Sequence, residues 1–84
     1  MADIPDRAFD VRVNSSDGKL LLVRGMDAFE LDEIGAVIWR LCDGRRHVEQ
    51  IAADLTQEYD IDMATARSDV ETFVSELRKA QLLV

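Results

Sequence analysis

The sequence predicts an α+β, winged-helix-like domain in which a three-stranded antiparallel sheet is followed by three helices. Two observations predict this class. In the first third of the chain, short apolar segments are separated by Asp17-Gly18 and by Gly25-Met26-Asp27, which are residue types of tight turns. In the remainder, apolar residues recur at intervals of three and four, the spacing of a helix with one buried face. The change of period therefore separates a sheet from a helical part.

Three strands account for the first part. The first is predicted to start at Phe9, because Phe9, Val11 and Val13 alternate with polar residues and are expected to share a buried face. Residues 19–24 are more uniformly apolar and are predicted as the second strand. The third is the short segment 28–31, which we expect at an exposed edge of the sheet.

Three helices account for the rest, and each has a recognisable start. Asp32 suits the N-cap of the first helix, which ends at Asp43-Gly44. The second opens near His47 and runs to Tyr59. Asp60-Ile61-Asp62 then breaks the pattern and can cap the third, which covers roughly residues 63–80. The predicted buried stripes are Ile34, Val37, Ile38 and Leu41 in the first helix, Val48, Ile51, Ala52, Leu55 and Tyr59 in the second, and Ala66, Val70, Phe73, Val74 and Leu77 in the third.

Composition restricts the class of protein. The 84 residues, 48% hydrophobic and 32% charged, predict one small globular domain, residues 1–84, behind a flexible polar arm of residues 1–6. A net charge of -7 disfavours nucleic acid as a partner, because Lys and Arg supply most of that affinity. One cysteine, no cleavable signal sequence and no membrane-length apolar run lead us to expect a cytoplasmic protein without a membrane partner.

Residue types that carry chemistry are few. His47 lies at a predicted helix start, and Cys42 lies at the end of an apolar helix, where a free cysteine is expected to be a small buried hydrophobe. The carboxylates are scattered, and the glycines stand singly, so neither a metal site nor a phosphate loop is predicted. We therefore expect no catalytic residues, no metal and no cofactor, which makes an enzyme the least favoured class.

The third helix offers a surface that could accompany the exposed strand. Arg67, Val70, Val74 and Arg78 follow one line at spacings of three and four, so a mixed apolar and basic stripe could flank an added strand. The alternative is that the two valines are core residues and the two arginines are solvated. Periodicity by itself favours this alternative.

Several segments together resemble the PqqD-like family. The family pattern of Leu-Asn, two residues, a small residue and an apolar-Trp pair is similar to Leu31-Asp32-Glu33-Ile34-Gly35-Ala36-Val37-Ile38-Trp39, with Asp for Asn. Asp43-Gly44 matches the end of that helix, residues 48–52 match the next, and residues 69–77 match Asp-Val-x-x-Phe-Leu-x-x-Leu with Val74 for the second Leu. The final Gly-Leu-Leu departs as Gln81-Leu82-Leu83, so the cap of the third helix lacks its usual glycine.

The resemblance implies a function in peptide recognition. Members of this family bind the leader of a ribosomally made, post-translationally modified peptide (RiPP), which docks as an added strand against the third strand and third helix. Carried onto this sequence, the peptide-binding residues are Asp27, Ala28, Phe29, Glu30 and Leu31 on the strand and Arg67, Val70, Val74, Leu77 and Arg78 on the helix. The implied partners are a precursor leader peptide and a separate processing enzyme.

Two settings are open under this resemblance. In the first, which we favour, the protein serves the leader peptidase and cyclase of a lasso-peptide cluster. In the second, it is a PqqD-type chaperone that presents a precursor to a radical-SAM enzyme in quinone cofactor biosynthesis. The sequence names neither the precursor nor the enzyme, and an exposed edge also allows a homodimer through strand pairing.

A winged-helix DNA-binding regulator is the rival from another class, since it shares the order of elements. Charge separates the two. In and beside the third helix, the acidic residues outnumber the basic ones, a poor match for a phosphate-lined groove. The acidic residues are Asp62, Asp69, Glu71 and Glu76, and the basic ones are Arg67, Arg78 and Lys79.

Overall fold

A computed structural model describes residues 3–17 and 19–84. It contains the strands β1 (Arg12–Ser16), β2 (Lys19–Arg24) and β3 (Asp27–Leu31) and the helices α1 (Glu33–Leu41), α2 (Val48–Glu58) and α3 (Met63–Lys79). The strands form one antiparallel sheet in the order β1-β2-β3. The predicted α+β class is confirmed, and β3 lies at an edge of the sheet as expected.

The two hairpins fix the register of the sheet. Arg24 pairs with Asp27 across the two-residue loop of Gly25 and Met26. Gly25 has φ +60, the backbone conformation that a type II′ hairpin requires at its first central position. In the other hairpin Asp17 takes φ 51, whereas Gly18, the second residue of the predicted Asp-Gly turn, lies outside the described residues.

The first strand begins later than its alternating pattern predicts. Phe9 and Asp10 form a turn, in which the amide of Val11 bonds to the carbonyl of Ala8 at 3.4 Å, and pairing with β2 starts only after it. The predicted buried face is correspondingly wrong. Phe9 is 101% exposed and Val13 47% exposed, and only Val11 packs partly against the core. A local turn has therefore overridden the period of two.

Side chains cap the helices where the sequence predicts. The Asp32 carboxylate accepts a hydrogen bond from the Gly35 amide at 2.7 Å, and the Asp62 carboxylate accepts one from the Thr65 amide at 2.7 Å. These contacts satisfy amides that the first turn of a helix leaves without a partner. At α1 the prediction of the buried face is only partly right: Ile38 is buried as predicted, whereas Ile34, Val37 and Leu41 are partly buried. The other buried residues of α1 are Gly35, Ala36 and Trp39.

His47 is a structural residue of α2. Its Nδ1 accepts a hydrogen bond from the Gln50 amide at 3.3 Å, and the Gln50 side chain accepts one from the His47 amide at 3.2 Å. This reciprocal arrangement is a capping box. The predicted place of His47 at the helix start is confirmed.

One apolar core joins the sheet to the helices. Its fully buried side chains come from β2, all three helices and the C-terminal tail, and the predicted stripes of α2 and α3 supply much of it. They include Leu22, Ile38, Ile51, Leu55, Val70 and Leu82. Cys42 is buried in the same core as predicted, and burial raises the pKa of its thiol to about 12.

The N-terminal segment differs from the flexible arm that the sequence predicts. Its described part, residues 3–6, is hydrogen-bonded to the rest of the fold. The Val48 amide bonds to the Asp3 carbonyl at 2.9 Å and the Gly44 amide to the Pro5 carbonyl at 3.0 Å. Pro5 itself is fully buried. Residues 1 and 2 lie outside the described residues.

The described residues include no helix that is both long enough and apolar enough to cross a bilayer.

Candidate functional site

The outer edge of β3 carries backbone groups that pair with no other strand in the described part of the chain. In a two-residue hairpin the closing pair is hydrogen-bonded, and bonded and non-bonded pairs alternate from there. Asp27, Phe29 and Leu31 therefore bond to β2, whereas Ala28 and Glu30 point their N–H and C=O groups outward. These two residues offer four backbone hydrogen-bonding groups to an extended peptide.

A groove between α1 and α3 lies close to the end of β3, since Asp32, which follows Leu31, is among its lining residues. Among the described residues, no α-carbon of β3 comes within 8 Å of one in α3, while α1 packs against both. A strand added to β3 would lie about 4.8 Å from it, so this separation is a condition for one to fit between β3 and α3. The groove is an open depression of about 340 Å³. Its lining residues are Asp32, Ile34, Gly35, Ile38, Asp69, Thr72, Phe73 and Glu76.

Gly35 lies where α1 approaches α3. A β-carbon on Gly35 would stand 3.5 Å from Cε2 of Phe73, an ordinary van der Waals contact, and 3.1 Å from Oδ1 of Asp32, a tight one. The Phe73 ring therefore lies over the start of α1, and the tight constraint at Gly35 comes from the capping carboxylate of Asp32. Phe73 is partly buried, so part of its ring remains available to a ligand.

Carboxylates surround the groove. Asp32, Asp69 and Glu76 line it, and no Lys or Arg does. Within the described residues, none of the three has an ion-pair partner, although Asp32 uses one oxygen as a helix cap. The groove thus combines an apolar floor with a negatively charged rim.

The five predicted contact residues on α3 do not line this groove. Val70, Val74 and Leu77 are buried, at 0%, 3% and 7% exposure, and belong to the core. The alternative that the valines are core residues is therefore the one that the structure favours. Their contact with a peptide stays a prediction that no geometry here tests.

The two arginines of the predicted stripe have partners elsewhere. Arg67 pairs with Glu49 of α2 at 3.0 Å. Arg78 donates two hydrogen bonds to the Asp3 carboxylate, at 2.8 and 2.6 Å, and the pKa of that carboxyl is lowered mainly by this bonding. Both arginines face α2 and the chain termini, on the side of α3 remote from the groove.

Sequence reasoning missed the groove-lining residues of α3. Asp69, Thr72, Phe73 and Glu76 follow the spacing i, i+3, i+4, i+7 and form one flank of the helix. Arg67 and Arg78 form the other flank, with the buried stripe between them. An available signal was the position of Phe73 at the margin of that stripe, although periodicity alone does not say which flank faces the sheet.

The second free edge of the sheet, at β1, has a different environment. Within the described residues, β1 packs only on β2, and no helix stands beside it. A strand added there would gain backbone hydrogen bonds and no side-chain pocket. The β3 edge is the one that combines both.

The described residues hold no group of three or more His, Cys, Asp or Glu placed to bind a metal ion. His47 serves as a helix cap, and the raised pKa of Cys42 keeps it a neutral thiol. The predictions of no metal, no cofactor and no catalysis stay predictions.

The fold and the groove define a small α+β domain of the kind that accepts an extended peptide at a sheet edge beside a helix. Residues 20–83 match the family model described as "Coenzyme PQQ synthesis protein D (PqqD)". The chain belongs to the PqqD family.

A curated relative and two solved structures are similar to this chain. The PqqA binding protein of Rhizobium meliloti (strain 1021) is 33% identical over 66 residues, which are 79% of this chain and 67% of that protein. The solution structure of the PqqD truncation of Methylobacterium extorquens PqqCD, described as a RiPP recognition element, has a TM-score of 0.81 at 30% identity, covering 95% of this chain and 87% of that one. TbiB1 in complex with the TbiA(beta) leader peptide has a TM-score of 0.81 at 26% identity, covering 93% of both chains.

Proposed function

We propose that this protein binds the leader region of a ribosomally synthesised precursor peptide by strand addition at β3 and presents it to a separate processing enzyme. One observation carries the proposal. The outer edge of β3 is unpaired among the described residues, and the apolar groove between α1 and α3 is lined by Asp32, the residue that follows this strand. The recognition-element relative and the leader complex of TbiB1 support the same reading.

Affinity would come from the backbone and from one anchoring side chain. The outward groups of Ala28 and Glu30 offer up to four hydrogen bonds, each worth about 0.5–1.5 kcal/mol net. An apolar side chain buried against Phe73 would add about 1.5–3 kcal/mol before the cost of ordering the peptide. Together these terms amount to about 3.5–9 kcal/mol before that cost, so we expect binding no tighter than about micromolar.

The function that follows from binding is tethering. A leader held on this domain raises the effective concentration of the rest of the precursor at the processing enzyme. No reacting group of this chain is needed. In the first setting, that enzyme is the leader peptidase of a lasso-peptide cluster.

The second setting is quinone cofactor biosynthesis. It is favoured by the match to the PqqD family model and by the relatives named PqqA binding protein, of which those from Xanthomonas oryzae are 41% identical over 54 residues, 64% of this chain and 59% of theirs. In this setting the bound peptide would be a PqqA-type precursor and the enzyme a radical-SAM protein.

A titration tests the proposal and compares the two settings. Fluorescein-labelled TbiA(beta) leader, PqqA and the leader of the precursor encoded nearest this gene would be titrated with the purified protein, following anisotropy. We expect saturable binding of at least one peptide, and loss of that binding in Ala28→Pro. Proline at position 28 removes an outward N–H of β3 and leaves the bonds to β2 in place.

The matched control is Val13→Pro. The β1–β2 hairpin closes on Ser16 and Lys19, so alternation also points the N–H of Val13 outward, at the edge that lacks a helical wall. This variant should bind like wild type. Two outcomes would contradict strand addition at β3: absence of binding by all three peptides, or equal loss of binding in both proline variants. Retention of the protein on a heparin or DNA column would then support the class of DNA-binding regulators instead.

A further inference from the structure

We infer that the groove selects a leader in which an apolar side chain has a Lys or Arg within two positions of it. This inference rests on the proposed function and specifies the chemistry of the peptide that the same site accepts. It concerns the side chains of the leader, whereas strand addition itself concerns only backbone.

The apolar half of the requirement comes from the floor of the groove. Ile34, Ile38 and the Phe73 ring form it, and Gly35 keeps it open by contributing no side chain. A depression of about 340 Å³ lies at the lower end of the range for ligand pockets. It suits one anchoring side chain of a strand.

The basic half comes from the rim. Six of the 17 carboxylates have a cationic partner within the described residues, among them Glu49 with Arg67, Asp54 with Arg46 and Asp3 with Arg78. The rim carboxylates of Asp69 and Glu76 have none within the described residues. An incoming Lys or Arg would supply the missing charge.

The partial positive charge at the start of α1 does not reverse the negative charge around the groove. A helix N-terminus carries about half an elementary charge, and the Asp32 carboxylate already caps it. Two full negative charges on α3 remain. The groove is therefore complementary to a cation and repels an acidic peptide.

Spacing places the cation close to the anchor. Asp69 lies four residues before Phe73 and Glu76 three residues after it, which is a rise of about 4.5–6 Å along the helix. Alternate residues of a strand point to the same side and lie about 6.6–6.8 Å apart. A Lys or Arg two positions from the anchor can therefore reach one of the two carboxylates.

A charge swap with a matched control tests the inference. The probe is the fluorescein-labelled leader that saturates in the titration above, together with versions in which each Lys or Arg is replaced in turn by Glu. The protein variants are Asp69→Lys and Glu71→Lys. Both change the net charge equally at exposed positions of the same helix, but Glu71 lines a different depression, which Lys79 also lines.

For wild type, we expect one basic position near the anchor whose change to Glu weakens binding about twofold to fivefold, as for an exposed ion pair. Asp69→Lys should weaken binding of the unmodified leader by a similar factor, and it should restore binding of the leader version that carries Glu at this position. Glu71→Lys should leave the order of affinities unchanged. Raising the salt concentration from 0.05 to about 0.5 M should reduce the difference, because exposed charges are screened.

One result overturns the inference. The unmodified leader binds saturably, but replacing its basic residues by Glu has no larger effect on the affinity than Glu71→Lys has, and the same is true of Asp69→Lys. That result would leave strand addition intact. Failure of the proposed function is a different result, in which wild type binds no leader at all. Unchanged thermal unfolding of the two variants establishes that any loss belongs to the groove.

Discussion

Single residues at helix ends determine how the elements of this protein join, and Gln81 is the clearest case. It stands where the family pattern has glycine, and it takes φ 62, a left-handed conformation that is unfavourable for any residue with a β-carbon. The amide of Gln81 bonds to the Arg78 carbonyl at 3.0 Å, and that of Leu82 to the Leu77 carbonyl at 2.8 Å. This is the Schellman arrangement, closed by a buried Leu77–Leu82 pair. The cap is present despite the missing glycine.

The strain at Gln81 leads to a prediction at the residue scale. Gln81→Gly should raise the free energy of unfolding by about 0.5–1 kcal/mol, because relief of the left-handed backbone outweighs the greater freedom of glycine in the unfolded chain. Urea unfolding followed by circular dichroism measures it. Gln81→Ala, which keeps a β-carbon, serves as the control and should not stabilise. Equal midpoints for the glycine variant and wild type would speak against strain at this position.

At the scale of elements, caps set where each helix begins, and α3 shows how charge contributes. Hydrogen bonds from the side chain of Thr65 and then from its amide hold the pKa of Asp62 below its usual 3.8. A carboxyl whose pKa is lower in the folded state than in the unfolded state stabilises the fold at pH values above its unfolded-state pKa. That stabilisation is lost as pH falls through the lower, folded-state pKa.

The prediction at the element scale is a difference in acid sensitivity. Asp62→Asn keeps an N-cap acceptor and removes the titrating group, so its stability relative to wild type should improve as pH is lowered from about 5 to 2. Asp62→Ala should be less stable than wild type at pH 7, because it loses the cap altogether. Thermal unfolding of the three proteins at several pH values measures both effects. A constant difference between Asn variant and wild type across this range would exclude the carboxylate as a contributor.

At the scale of the whole molecule, the two chain termini close the fold. The amide of Val84 bonds to the Asp6 carbonyl at 2.8 Å, and the amide of Ala8 bonds to the Leu82 carbonyl at 3.0 Å. Arg78 of α3 holds Asp3 through two hydrogen bonds. The segment 3–6 is thereby a packed part of the fold rather than a tail, and its contacts lie on the side of α3 away from the groove.

Amide hydrogen exchange tests this packing. The amides of Gly44, Val48 and Val84 bond to the N-terminal segment, so they should exchange slowly in wild type and faster after deletion of residues 1–6. Leader binding should survive the deletion, because the groove and the β3 edge do not involve this segment. Fast exchange of all three amides in wild type would instead support the flexible arm that the sequence predicts.

Much of the local structure could be predicted from the sequence, because it depends on neighbouring residues. Asp32, His47 and Asp62 cap helices within one turn of themselves, and the stripe of Ala66, Val70, Val74 and Leu77 is buried as its period predicts. Phe9 is the opposite case. Alternation over five residues is a weak signal, and the turn at residues 9 and 10 ended it.

The candidate site was only half predictable. The strand half, residues 27–31, followed from a short segment at the end of a meander, which has to lie at an edge of the sheet. The helix half did not follow, because Arg67 and Arg78 lie on one flank of α3 and Asp69 and Glu76 on the other, and both flanks have helical spacing.

The sequence by itself determined the order of the elements, their caps and the buried face of α3, since each depends on residues within a few positions of one another. Only the tertiary structure decided which flank of α3 lines the groove with α1. That choice is made by contacts between distant segments, with α2 and the N-terminal segment covering the arginine flank and the start of α1 packing against Phe73. Periodicity describes a helix in isolation, whereas a groove exists only between elements that packing has brought together.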